Sequence, residues 1–399
     1  MRSIIYLMMT SLIGQVAALA FTPLLSRIYS VSEFGMLGLA VSIGGMAGII
    51  LSAKSEMLML REESEDVNQY YSDSVNFCFL MSGFGLVVVF AISLLELAEV
   101  YLSLMVLFGA LGTAIFSVTR VYLNVKSQFR KSGAINAARG ACQPVIQILL
   151  SDITFGLVAG WAFSFYVVLM FVARKARRTI FQSIKAIFSK VSIVSKIFVS
   201  ALISEFTVGF IIISCMILYS SQMSGYVVMV YRVLGFPVMI ISRAIADYML
   251  PKYKGYYLGR NSLAEMFLPF SFALTAALLI VAVFSFVPQH WYTLFLGEGW
   301  EGVSTFFIVL APFFAVRLLS IIASPIYLVF HKEGLYLLFS VVLLVGFLTI
   351  AIWFYIDSDR EMYEYIKSIV IYGALCYTLY VAGGVALLVK KLKGRKFPC

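Results

Sequence analysis

Three charged residues lie inside apolar runs, where a charge is expensive to keep. Arg232 sits in YSSQMSGYVVMVYRVLGFPVMIISRAIADYMLP (Tyr219–Pro251), Arg317 in VLAPFFAVRLLSIIASPI, and Glu205 in FVSALISEFTVGFIIISC. A guanidinium at membrane depth costs at least ~2.5 kcal/mol on insertion scales, so such a residue usually faces a bundle interior or a wet cavity. Two deep arginines make a cationic cavity. That suits an anionic substrate such as a diphosphate, whose oxygens a guanidinium binds bidentately. A plain structural reading stands beside this one: an arginine can snorkel, and Glu205 could pair with Arg317 as internal glue. Arg243 follows Arg232 by eleven residues. That is about three turns, so an unbroken helix would set both on one face. Pro237 lies between them and could turn those faces apart or mark a bending point. Arg243 and Asp247, four apart at a helix end, form a cytoplasmic mouth and could simply pair with each other.

Other chemistry finds no support. The sequence contains no GxxxxGK[ST], HExxH, CxxC or GxSxG, so the motifs of ATP hydrolysis, zinc proteolysis, thiol redox work and serine hydrolysis are missing. His290 and His331 are far apart in predicted loops. The five cysteines (Cys78, Cys142, Cys215, Cys376, Cys399) have no metal-type spacing and are expected to be free thiols. A membrane polymerase or ligase would want a substantial outer loop bearing arginine or histidine, and the outer loops here are short. The reading is a protein that is not an enzyme and needs no metal or organic cofactor, with H+ or Na+ as a conceivable coupling ion.

The elements that must hold these residues follow from composition. The 399 residues are 62% hydrophobic and 13% charged, against about 25% charged in soluble domains; mean hydropathy is +0.97. Apolar runs long enough to cross a ~30 Å hydrocarbon core recur along the chain. The class is an all-α polytopic membrane protein. The net charge of +10 gathers in short loops, which points to the positive-inside rule and away from nucleic acid. Spans are predicted at about 4–26, 34–53, 75–95, 100–119, two within 137–173 divided at Ser151-Asp152, then 197–219, 225–246, 267–287, 303–326, 335–356 and 366–389. The first is read as a retained span rather than a cleaved signal. Alternating the loops puts basic residues on one side by roughly eight to one, so both termini are predicted cytoplasmic. About twelve helices then divide into lobes 1–173 and 197–399, joined by the basic connector 174–196.

Two further patterns support this division. Gly44 and Gly48, and again Gly156 and Gly160, have the GxxxG spacing that admits a close neighbouring helix. Tyr29-Ser30 precedes Gly35 by the spacing that separates Tyr219-Ser220 from Gly225, each pair at the turn between the first two helices of its lobe. Equal orientation after six helices implies a parallel repeat, as in transporters.

PLLSRIYSVSEFG in the first connector, KSEMLML after helix two, Tyr219–Pro251 and LGEGWEGVSTFFIVLAPFFAVRLLSIIASPI resemble the polysaccharide transporter (O-antigen flippase) family of the multidrug/oligosaccharidyl-lipid/polysaccharide exporter superfamily. The resemblance runs nearly end to end and is weakest over helices five, six, eleven and twelve. It implies a MATE-like fold of two six-helix bundles around a central cavity. It also implies flipping of undecaprenyl-diphosphate-linked oligosaccharide units across the bacterial inner membrane for O-antigen, capsule or exopolysaccharide synthesis. The mechanism would be alternating access, with a polysaccharide polymerase and a chain-length regulator as partners. The resemblance adds Arg27 and Glu56 as motif charges of the first lobe and supports Arg232 in the second. A cation-coupled exporter of small organic molecules on the same fold is the alternative.

Overall fold

Apolar runs of this length have one local way to satisfy their backbone N–H and C=O groups, by closing them within a helix. Every regular element among the described residues is helical. The computed structural model describes residues 13–60, 67–95, 99–171, 183, 187, 191–260, 262, 264–357 and 361–394.

The helices are α1 (Thr22–Ile28, the end of an apolar helix that begins at Ile13), α2 (Val31–Ser52), α3 (Val67–Leu94), α4 (Val100–Val125), α5 (Phe129–Leu149), α6 (Gly156–Leu169) and α7 (Val191–Leu218). Then come α8 (Ser221–Val230), α9 (Phe236–Tyr257), α10 (Ala264–Phe286), the short α11 (Gln289–Leu296), α12 (Val303–Val329), α13 (Glu333–Ile356) and α14 (Met362–Gly394). A 3-10 turn, Ser55–Leu60, follows α2, and a π turn, Tyr231–Gly235, joins α8 to α9. Among the described residues, eight helices (α2, α3, α4, α7, α10, α12, α13 and α14) carry segments long and apolar enough to cross a membrane. The chain is a multi-pass, all-helical membrane protein.

The long stretch 137–173 divides where expected: α5 ends at Leu149, and α6 begins at Gly156 after Phe155 adopts the left-handed conformation (φ 59°). Its start differs. Helix α5 begins at Phe129, ahead of the predicted 137, so Arg130 and Lys131 are helical. Likewise α3 begins at Val67, which brings Asp73 onto a helix. Most of the basic connector 174–196 lies outside the described residues.

Two compact units, 1–216 and 217–399, can each be described by itself. Helix α7 is grouped with the first unit. The physical reason is close packing on α2: a Cβ on Gly209 would lie 2.8 Å from the Ser42 Cβ.

Within the units the same packing order recurs. In the first, α4 is the hub, packed on α2, α3 and α6, with α5 on α6. In the second, α12 is the hub, packed on α9, α10 and α14, with α13 on α14. The fourth spanning helix of each half thus has the same partners. The expected repeat also appears in the caps. Ser30 accepts the Glu33 N–H and closes a capping box at the start of α2, while Ser220 accepts the Met223 N–H at the start of α8. Tyr29 donates to the Gln147 carbonyl next to the start of α6, and Tyr219 lies 5.8 Å, centroid to centroid, from Tyr365 near the start of α14.

Glycines set the closest approaches. Gly48 of the first GxxxG pair faces α4, where a Cβ would lie 3.2 Å from the Ala110 carbonyl oxygen. Gly44 and Gly109 together form a slot for the indole of Trp161, which is 3% exposed.

Candidate functional site

In the second unit the candidate site centres on Arg232. Its side chain is 7% exposed and lies within the π turn between α8 and α9. The local sequence explains the turn. Pro237 has no N–H to offer the carbonyl of Val233, and an extra residue per turn just before a proline absorbs that missing bond. Tyr231 packs edge-on to Phe314 of α12, with centroids 5.0 Å apart. A Cβ on the buried Gly235 would lie 3.1 Å from the same ring. The break also removes the condition under which Arg232 and Arg243 would share a face. An unbroken helix was required, and a π turn shifts register by about one residue. The side chains of Arg243 and Asp247, on α9, lie outside the described residues.

Arg317, half-buried on α12, sits one turn after Phe313. Phe313 packs on Tyr377 of α14 with centroids 5.6 Å apart, and Arg317 is within electrostatic reach of the same tyrosine. Arg232 and Arg317 therefore belong to elements of one unit that pack together. The loop between α10 and α12 is more ordered than the interfacial belt expected there. Trp291 is 56% exposed, but Trp300 is 1% exposed against Tyr226. Glu301 accepts the Gly299 N–H at 3.0 Å. Its own backbone N–H and that of Gly299 hold its carboxyl below the usual range.

The first unit holds the remaining candidates. Glu56 is fully buried in the 3-10 turn. Its Oε1 accepts from Ser117 Oγ of α4 at 3.2 Å and lies 3.5 Å from Lys54 Nζ, while its Oε2 is buried with no hydrogen-bond partner among the described residues. Glu205 of α7 is half-buried against α2: its Oε1 lies 2.6 Å from where a Cβ on Gly45 would stand, so only glycine leaves room for it. Glu205 is in the first unit and Arg317 in the second. Arg27 is exposed in the last turn of α1.

Two constellations were not singled out from the sequence. Ser183 Oγ donates to Asp73 Oδ1 at 2.8 Å and accepts from Asn76 Nδ2 at 3.1 Å, all three buried. Arg139, at the middle of α5, holds its guanidinium 3.8 Å above the Phe165 ring and 5.6 Å from Phe116. A signal for it existed. Asn136, Arg139, Gln143 and Gln147 recur at the helical period, which extends a helix back through the basic stretch.

No protein-family model matches this chain, and no curated protein matches its sequence. Solved structures do resemble it. Lipid II flippase MurJ in an inward closed conformation aligns with a TM-score of 0.72 at 11% identity, covering 98% of this chain and 89% of MurJ. The outward-facing conformation of a multidrug resistance MATE family transporter of the MOP superfamily aligns at 0.61 with 15% identity, covering 98% and 96%. A MOP superfamily transporter from Pyrococcus furiosus, described as having a binding pocket of reversed polarity, aligns at 0.54 with 14% identity, covering 98% and 96%. The fold is that of the MATE and MurJ transporters. The alignments to both cover 98% of this chain. On it the second unit offers a buried guanidinium beside a broken helix, and the first offers buried carboxylates and one arginine mounted on aromatic rings.

Proposed function

We propose that this chain is a flippase for polyprenyl-diphosphate-linked oligosaccharides in the bacterial inner membrane. It has twelve spanning helices in two bundles of six, 1–173 and 197–399, with both termini in the cytoplasm. The observation that carries the reading is Arg232, 7% exposed in the π turn between α8 and α9 of a fold that a lipid II flippase also has. A diphosphate cannot cross hydrocarbon unaided, and a fixed guanidinium offers a bidentate partner along the way. Arg317 adds a second positive charge on the neighbouring α12. The π turn beside Pro237 supplies the place where the α8–α9 span can bend between access states. H+ or Na+ is the proposed coupling ion.

Deleting the gene should trap lipid-linked repeat units on the cytoplasmic side, which mass spectrometry of lipid-linked intermediates would detect. Normal surface glycan without accumulation refutes the proposal. Arg232→Ala should insert normally and fail to restore export; a fully active variant removes Arg232 from the substrate path.

The buried Glu56 and Asp73 favour a second reading, a cation-coupled exporter of small organic molecules on the same fold. A changed drug-sensitivity panel on deletion, with glycan intact, would select it.

A further inference from the structure

We infer that Arg139 is a phosphate-binding residue of the first unit, held ready on an aromatic platform and separate from Arg232. The case starts from position on the helix. Arg139 is the eleventh residue of the 21-residue α5. It therefore lies about 15 Å from the helix start at 1.5 Å per residue. A buried arginine usually pairs with a carboxylate. This one makes no such pair among the described residues. Its guanidinium lies over the Phe165 ring of α6 at 3.8 Å, with Phe116 of α4 5.6 Å away. The two rings meet edge to face at 5.7 Å.

A cation over a ring satisfies only the flat face of the guanidinium. The N–H donors lie in the plane and remain to be used. Among the described residues, Nε is buried without a hydrogen-bond partner and no carboxylate lies within ion-pairing distance of Arg139. The charge that acts on it is of the same sign, Arg120 of α4, so it does not offset the guanidinium. Next to Arg139, Gly140 packs backbone to backbone on Gly14 of the first helix, which holds α5 in place. A planar fork with an unused N–H edge matches the oxygens of a phosphate or diphosphate.

That chemistry has two sources in a membrane, a prenyl diphosphate or an anionic phospholipid headgroup. The choice of prenyl diphosphate rests on the flippase reading; the phosphate site itself does not.

The test uses the full chain in phosphatidylcholine nanodiscs, with farnesyl diphosphate and uncharged farnesol as probes and tryptophan fluorescence as readout. Trp161, 5.9 Å from Phe165, is a built-in reporter. The wild type should bind the diphosphate and not farnesol, and Arg139→Gln should weaken it about tenfold or more. Phe165→Leu keeps the charge and removes the platform, so it should weaken binding several-fold even if Arg139→Gln does not insert. Unchanged affinity in both variants, with Arg232→Gln weakened, overturns the inference and leaves the flippase reading standing. No diphosphate binding by the wild type overturns both. Loss of the diphosphate signal in phosphatidylglycerol nanodiscs, again dependent on Arg139, supports the phosphate site and assigns it to a phospholipid, against the flippase reading.

Discussion

Gly109→Ala places one methyl group where the indole of Trp161 already lies. The new Cβ would stand 2.5 Å from Cη2 and 2.9 Å from Cε3, and closer still to Cζ3. Ordinary carbon contacts begin near 3.5 Å, so the ring or the helix has to shift by about 1 Å or more. The ring has no easy route. It is 3% exposed, Gly44 closes the other side of the slot, and Phe165 packs edge-on at 5.9 Å. Overpacking typically costs ~1–3 kcal/mol, and a rigid, enclosed indole puts this case near ~3 kcal/mol. In water, alanine would recover ~1 kcal/mol of helix propensity over glycine. In detergent much of that gain disappears, because spanning helices persist when their packing is lost. The variant should therefore unfold several degrees below the wild type in detergent, followed by gel filtration of heated samples. Trp161→Phe alone should destabilise by leaving a void. The double variant should be more stable than the sum of the two singles, by ~1–3 kcal/mol of interaction energy. A Gly109→Ala protein as stable as wild type, or strict additivity, would refute the slot as the organising contact of α2, α4 and α6. A functional consequence follows from Phe165, one turn from Trp161 on α6: moving that helix moves the ring beneath Arg139.

Two more outcomes are expected. Ser30→Ala and Ser220→Ala each remove an N-cap acceptor and should cost ~1 kcal/mol apiece, read as separate drops in unfolding temperature; variants as stable as wild type would point away from capping. Tyr29, buried at the connector with Glu33 and Asp152 nearby, has its hydroxyl pushed up to about 12, first by burial and then by those carboxylates. Unfolded tyrosine titrates near ~10, so the neutral hydroxyl's contribution is fully present below about pH 10 and is lost as pH rises toward about 12. Tyr29→Phe should flatten that part of the stability profile relative to wild type, and an unchanged difference between the two proteins from pH 9 to 12 would refute it.

How much of this was legible in the residues differs from one feature to the next. The membrane class, the α5–α6 division at Ser151-Asp152 and the paired Tyr-Ser connectors were readable because each depends on neighbours in the chain: hydropathy over a window, a turn dipeptide, a capping serine. Helix starts were less so. The predicted spans stop at 119 and resume at 137, because the positive-inside rule rewards basic residues outside a span and is blind to a helix that begins among them, as α5 does at Phe129. The same blindness hid Asp73, which α3 carries into a buried bond with Ser183, 110 residues away.

Sequence alone determined that this chain lives in a membrane as a series of apolar helices with a few costly charges among them. A helix closes its own backbone bonds, so its existence needs no partner. Tertiary structure decided what each charge meets. Glu56 found Ser117 and Lys54, Glu205 found the bare backbone of Gly45, and Arg139 found Phe165. These pairings depend on which helix faces α2, α4 or α6 and how closely glycine lets it approach. No periodicity within a single segment contains that information.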